Sequence, residues 1–138
     1  MAKETGTSTI LAKPPLVRIP KPWGEELILR RTSSTVVKAL RIRPDQRLSL
    51  QYHRRKRETL MLLSGHAVLT LGPRIDTLQE IAMQEGERQE VQAGMLHRLA
   101  AGASGADILE IASRLPDDEE DIVRLADDYG RVDIRPQL

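Results

Sequence analysis

Apolar and polar residues alternate along most of this chain in short runs, and turn residues interrupt the runs at close intervals. Alternation with period two marks a strand with one buried face. It predicts strands at 25–30, 35–43, 48–53, 59–63, 67–71, 81–84, 88–91, 96–99 and 107–112. Turn chemistry separates them at Thr32-Ser33-Ser34, Pro44-Asp45, Ser64-Gly65, Gly72-Pro73, Glu85-Gly86, Ala93-Gly94 and the stretch 102–105. Many short strands with turns between them predict an all-β, mainly antiparallel sandwich or barrel. One helical signal stands apart. Pro116 leads into the acidic run 117–121, followed by Ile122, Leu125 and Ala126. Acidic residues suit the positive end of a helix dipole, so a short C-terminal helix is expected there.

The alternation also assigns faces. In 48–53, Leu48, Leu50 and Tyr52 share one side, and Ser49, Gln51 and His53 share the other. A closed barrel turns one face of each strand inward, and a polar inward face lines a pocket rather than a packed core. Lys38 shares a face with Val36, Leu40 and Ile42, which places its ammonium either beside a cavity or snorkelling at a barrel rim. Glu110 projects either into the barrel, where it could act as a base, or to solvent.

Composition narrows the partners. The 138 residues suit one domain, with 1–15 as a flexible arm and 16–138 as the folded unit. With no Phe, one Trp and two Tyr, the core must be aliphatic. The 21 Lys and Arg nearly balance the 20 Asp and Glu, so the positive field that nucleic-acid binding needs is missing. The cationic run 54–57 reads as a solvated loop. The absence of Cys rules out disulfides and thiolate chemistry, so any metal must use nitrogen and oxygen donors. The opening residues show neither the apolar run of a signal peptide nor a membrane span, and the expected location is the cytoplasm.

Three histidines carry the candidate chemistry. His66 follows a tight turn and is read as a hydrogen-bonded or solvent-facing imidazole. His53 and His97 sit inside longer patterns. The first runs Pro44-Asp45, Leu48-Ser49-Leu50-Gln51, His53, then Glu58 and Gly65; the second runs Ala93-Gly94 and His97. Together they resemble the two motifs of the cupins, barrels of the double-stranded β-helix or jelly-roll type. Lys21-Pro22-Trp23-Gly24, Leu48-Ser49-Leu50-Gln51, Asp121-Ile122-Val123-Arg124-Leu125 and Tyr129-Gly130-Arg131 narrow the resemblance to type II mannose-6-phosphate isomerase over about 20–131. That family also occurs as the C-terminal domain of mannose-1-phosphate guanylyltransferases.

The resemblance implies a divalent ion (Zn, Mn, Fe, Ni or Co) held by His53, Glu58 and His97. It also implies a small sugar-phosphate substrate interconverted between aldose and ketose. Lys38 or Arg131 would hold the phosphate, Gln51 and Arg55 would line the sugar site, and Glu110, Lys38 and Arg131 are the candidates for catalysis. Cupins of this size commonly pair through edge strands, so a homodimer is expected.

Departures from the family pattern cluster at the pocket. Arg55 occupies the place of a second histidine, Lys56 that of an arginine, and Thr59-Leu60 that of His-Trp. Arg cannot ligate a metal. An extended strand would point Arg55 to the same side as His53, where a guanidinium about 5 Å from a dication costs roughly 3 kcal/mol per unit of metal charge. Either Arg55 stands in for the metal in a non-catalytic, anion-binding cupin, or the run 54–57 bends and carries it to solvent or to a carboxylate.

Overall fold

The computed structural model describes residues 17–116 and 118–133; the expected arm at 1–15 and Asp117 lie outside them. Among the described residues nine strands form one curled antiparallel sheet: β1 (Val17–Lys21), β2 (Gly24–Arg31), β3 (Thr35–Ile42), β4 (Leu50–His53), β5 (Glu58–Gly72), β6 (Gln79–Ala82), β7 (Arg88–Val91), β8 (Leu96–Ser113) and β9 (Ile122–Ala126). The all-β class read from alternation is the observed one.

Two strands organise the rest. β5 and β8 run antiparallel along their whole lengths, from Glu58 opposite Ala112 to Gly72 opposite Leu96. The second half of β8 pairs with β3, and its first half meets β4 at His97 opposite Gln51. On its other edge β5 takes β7 near its start and β6 near its end. Each long strand therefore serves two groups of neighbours, and the curl between them encloses the core.

The runs 59–63 and 67–71 are thus one strand, as are 96–99 and 107–112. Ser64-Gly65 and 102–105, read as turns, are irregularities inside paired strands, with register shifts at Leu62/Ser64 and Gly65/Ala67. Gly65 has φ 86° and Gly105 φ 78°. A Cβ on Gly65 would collide with the Gly105 carbonyl, so glycine lets the two backbones cross closely here. The pattern does not predict β1 because Pro20 falls within it; among the described residues it is an edge strand paired with β2, where a missing N–H is tolerated.

The expected C-terminal helix is corrected. Asp118–Asp121 makes a single helical turn (α1), and Ile122–Ala126 continues as β9, paired with β4. The i, i+3, i+4 apolar pattern is overridden because β4 offers a free ladder of backbone groups, and local propensity is weak against tertiary pairing. Among the described residues no helix is long and apolar enough to cross a membrane.

The core is aliphatic around one indole: Trp23, Leu40, Ile42, Leu60, Leu62, Leu69, Met83, Val91, Leu99 and Ile108 form a single cluster. Leu60, Leu69 and Ile108 have no exposed surface. Burying each such side chain contributes about 1.5–3 kcal/mol.

Candidate metal centre

Polar residues of the same strands are also inside. Ser49, His53, Glu58, His97 and Glu110 are all buried. The polar face of 48–53 does turn inward. β4 delivers Gln51 and His53, the start of β5 delivers Glu58, and β8 delivers His97 near one end and Glu110 near the other. The second turn motif closes the arrangement, because Gly94 donates its N–H to the His53 carbonyl at 2.7 Å.

His53, Glu58 and His97 present donor atoms that all lie within 4.8 Å of one another. Glu58 Oε2 is 3.0 Å from His53 Nε2 and 3.8 Å from His97 Nε2. No hydrogen bond satisfies that oxygen although it is buried. His97 Nδ1 lies 2.9 Å from the Met95 carbonyl, which can only accept, so Nδ1 carries the proton and Nε2 is left as a lone pair facing the cluster. Gln51 Nε2 stands 3.4 Å from both Nε2 atoms, its orientation set by the Ser49 hydroxyl donating to Oε1 at 2.6 Å. Two imidazoles and one carboxylate, with an orphaned oxygen between them, fit a first-row divalent ion.

The electrostatics agree with that donor set. Burial pushes the Glu58 carboxyl up, but contact with His53 and the nearby His97 and Lys56 outweigh it and hold the group at about 2. Burial lowers the His97 imidazole, with Glu58 and the Met95 bond opposing, which favours its neutral, ligating form. Burial raises Glu110; Lys56 and Lys38 oppose the shift, and Glu58 and Glu26 add to it. Glu110 is 6% exposed, so the inward alternative for this residue is the observed one.

Arg55 and Lys56 part company at the bend after His53. Arg55 is out: its side chain is 54% exposed and its Nε lies 3.7 Å from Asp121 Oδ1. Lys56 is in, with Nζ 3.5 Å from Glu110 Oε2 and 3.9 Å from Glu58 Oε2. Lys38 faces inward and pairs with Glu26 at 3.2 Å, and Glu26 in turn lies 3.9 Å from Lys21. Arg131 is held on Asp127 by two guanidinium bonds of 2.8 and 3.0 Å and by its backbone N–H at 2.7 Å. Sequence reasoning placed Lys56 at the pocket only as a departure from the family pattern, without a role, and did not assign Glu26 or Asp121 to the site, because these two come together with it only through strand pairing. Leu60, one of the departures from the family pattern expected at the pocket, belongs to the core.

A cavity of about 70 Å³ reaches the cluster at His53 and is lined besides by Lys21, Gln51, Lys56, Glu110, Arg124 and Arg131 among others. A larger hollow of about 630 Å³ opens at the irregular part of β5 and β8. Its walls are mostly small and apolar, including Gly65, Ala67, Ala82, Met83 and Ala101. Convergent polar groups mark a site better than volume does, so the smaller cavity is the candidate.

Known proteins place this geometry in a family. The chain is 30% identical over 116 residues to the xanthan biosynthesis protein XanB of Xanthomonas campestris pv. campestris (strain B100), covering 83% of this chain and 24% of that protein. It is 31% identical over 113 residues to the mannose-1-phosphate guanylyltransferase of Escherichia coli (strain K12), covering 81% and 23%. The chain thus spans about a quarter of the length of these relatives. Among solved structures, the capsular polysaccharide assembling protein CapF from Staphylococcus aureus superposes with a TM-score of 0.71 at 16% identity, covering 83% of this chain and 33% of that one. Residues 15–127 match the family described as mannose-6-phosphate isomerase C-terminal, and the chain, an all-β cupin, belongs to that family.

Proposed function

We propose that this cupin is a metal-dependent aldose–ketose isomerase acting on mannose 6-phosphate or a close relative. The observation that carries the reading is the buried His53, Glu58 and His97 cluster with Glu110 and Lys56 beside it. A bound divalent ion would supply Lewis-acid polarisation of the sugar oxygens. The isomerisation needs a base that takes a proton from C2 of the aldose and returns it to C1, while a second proton passes from O2 to O1. Glu110 is the group for this step, since a carboxyl raised toward neutrality both accepts and releases a proton. Lys56 offsets the negative charge that develops on the sugar oxygens. Gln51 can donate an N–H to a sugar hydroxyl from between the two imidazoles.

A cavity of about 70 Å³ has room for an ion and about two waters, so the reading requires lining side chains, among them the partly exposed Lys21 and Arg131, to move aside for a hexose phosphate. Lys38 and Arg131, each already paired with a carboxylate, exchange that partner for the phosphate.

The test uses protein purified without chelator. Metal near one equivalent is expected by elemental analysis, with interconversion of mannose 6-phosphate and fructose 6-phosphate that chelator stops and added metal restores. No turnover with Zn, Mn, Fe, Ni or Co supplied in turn would refute the isomerase reading.

A further inference from the structure

We infer that Asp121 is the positioning residue of the metal centre: by holding the bend after His53, it keeps the Arg55 cation away from the ligand cluster. The inference rests on the metal reading above.

Asp121 ends α1, immediately before β9, and is 2% exposed. A carboxylate buried this deeply is costly unless it is hydrogen-bonded. Its partners are consecutive backbone groups of the first motif. Oδ1 accepts from the Arg55 N–H at 2.9 Å, Oδ2 accepts from the Lys56 N–H at 3.1 Å, and the Asp121 carbonyl accepts from the Arg54 N–H at 3.0 Å. Three successive N–H groups aimed at one residue cannot belong to an extended strand, whose amides point alternately to opposite edges. The bend is therefore built around this carboxylate.

The bend decides two side chains. Continued alternation would set Arg55 on the face of His53. Instead its guanidinium lies toward solvent near Asp121 Oδ1, while Lys56 turns inward with 11% of its side chain exposed. His53 depends on the same residue. It pairs with Ile122, the residue after Asp121, and its buried Nδ1, which makes no hydrogen bond, faces Asp121 Oδ2 at 3.9 Å while Nε2 faces Glu58. Asn at 121 keeps the shape but replaces one acceptor oxygen with an NH2 and removes the charge that retains the guanidinium.

The experiment is a calorimetric Zn titration of chelator-stripped full chain, with the Co(II) absorption spectrum recorded in parallel, for wild type, Asp121→Asn, Arg55→Ala and the double variant. Asp121→Asn is expected to weaken metal binding roughly 10- to 100-fold, in the range for residues that orient ligands. Adding Arg55→Ala should recover about tenfold of that loss and restore the Co(II) spectrum. Arg55→Ala alone should change affinity by less than about twofold, because the guanidinium already lies outside. Unchanged binding in Asp121→Asn, or no recovery in the double variant, overturns the inference. So does about tenfold tighter binding in Arg55→Ala alone, a test that keeps Asp121 in place and stands even if Asp121→Asn does not fold. Absence of metal uptake by wild type defeats the metal reading itself, whereas normal wild-type uptake with a flat variant series defeats only the role of Asp121.

Discussion

One end of the barrel interior is built for ions and the other for hydrocarbon, yet both are made from the same two strands. On β5 the inward positions pass from Glu58 to Leu60 and Leu62; on β8 they pass from Glu110 to Ile108 and, nearer its start, from His97 to Leu99. Two residues along a strand separate a titratable group from a fully buried aliphatic one. The two ends are stabilised differently. The apolar end gains from area removed from water and from close packing. The polar end offsets desolvation by opposing charges within 4 Å, such as Lys56 with Glu58 and Glu110, which leaves little net stability but a preorganised field. Stability and chemistry are therefore separable along each strand.

The sharpest way to break that separation is at the polar end. His97→Ala should lower isomerase turnover by about 1,000-fold or more, about 4 kcal/mol in the activation barrier. The unfolding midpoint of the chelated protein should move by only about a few degrees. A collapse in stability equal to the loss of activity would show that the two ends are one unit. The converse substitution is Leu69→Ala. It should cost about 3 kcal/mol in a denaturant titration, the usual range for emptying a closed aliphatic site, while metal bound per folded molecule stays the same. The smallest effect concerns protons. Glu58, held at about 2, stays ionised throughout, and His97, lowered by burial, stays ready to ligate until the solution is more acidic than an ordinary imidazole requires. Metal affinity should thus hold at neutrality and fall by up to about tenfold per pH unit, about 1.4 kcal/mol, for each ligand proton that must be displaced in acid. Affinity that already falls at the pH where an ordinary imidazole takes up its proton would contradict a buried, neutral His97 among the donors.

Alternation made much of this legible in advance. Period two predicted the strand at 88–91 with its observed bounds and turned Ser49, Gln51 and His53 inward. The glycine at 94 marked the turn before His97, and Asp45 takes the left-handed backbone (φ 61°) that its short polar side chain tolerates. The failures share a cause: each depended on a partner distant in sequence. Asp121 and the residues after it read as a helix because local spacing could not show β4 waiting for a strand. Gly65 and Gly105 read as turns because close crossing of two long strands leaves the same signature as a loop. The opposite fates of Arg55 and Lys56 could not be derived from alternation, since a carboxylate more than sixty residues away interrupts it.

The pairing of β4 with β9 also sets an order of events. His53 is an early residue, but its strand gains this neighbour, and its bend gains Asp121, only after the last strand is present. During synthesis on the ribosome the first half-motif would wait, unpaired on that edge, while more than sixty further residues emerge. The ion pocket is thus among the last parts of the domain to take shape, and a nascent chain released before Ala126 would carry its ligands without the framework that aims them.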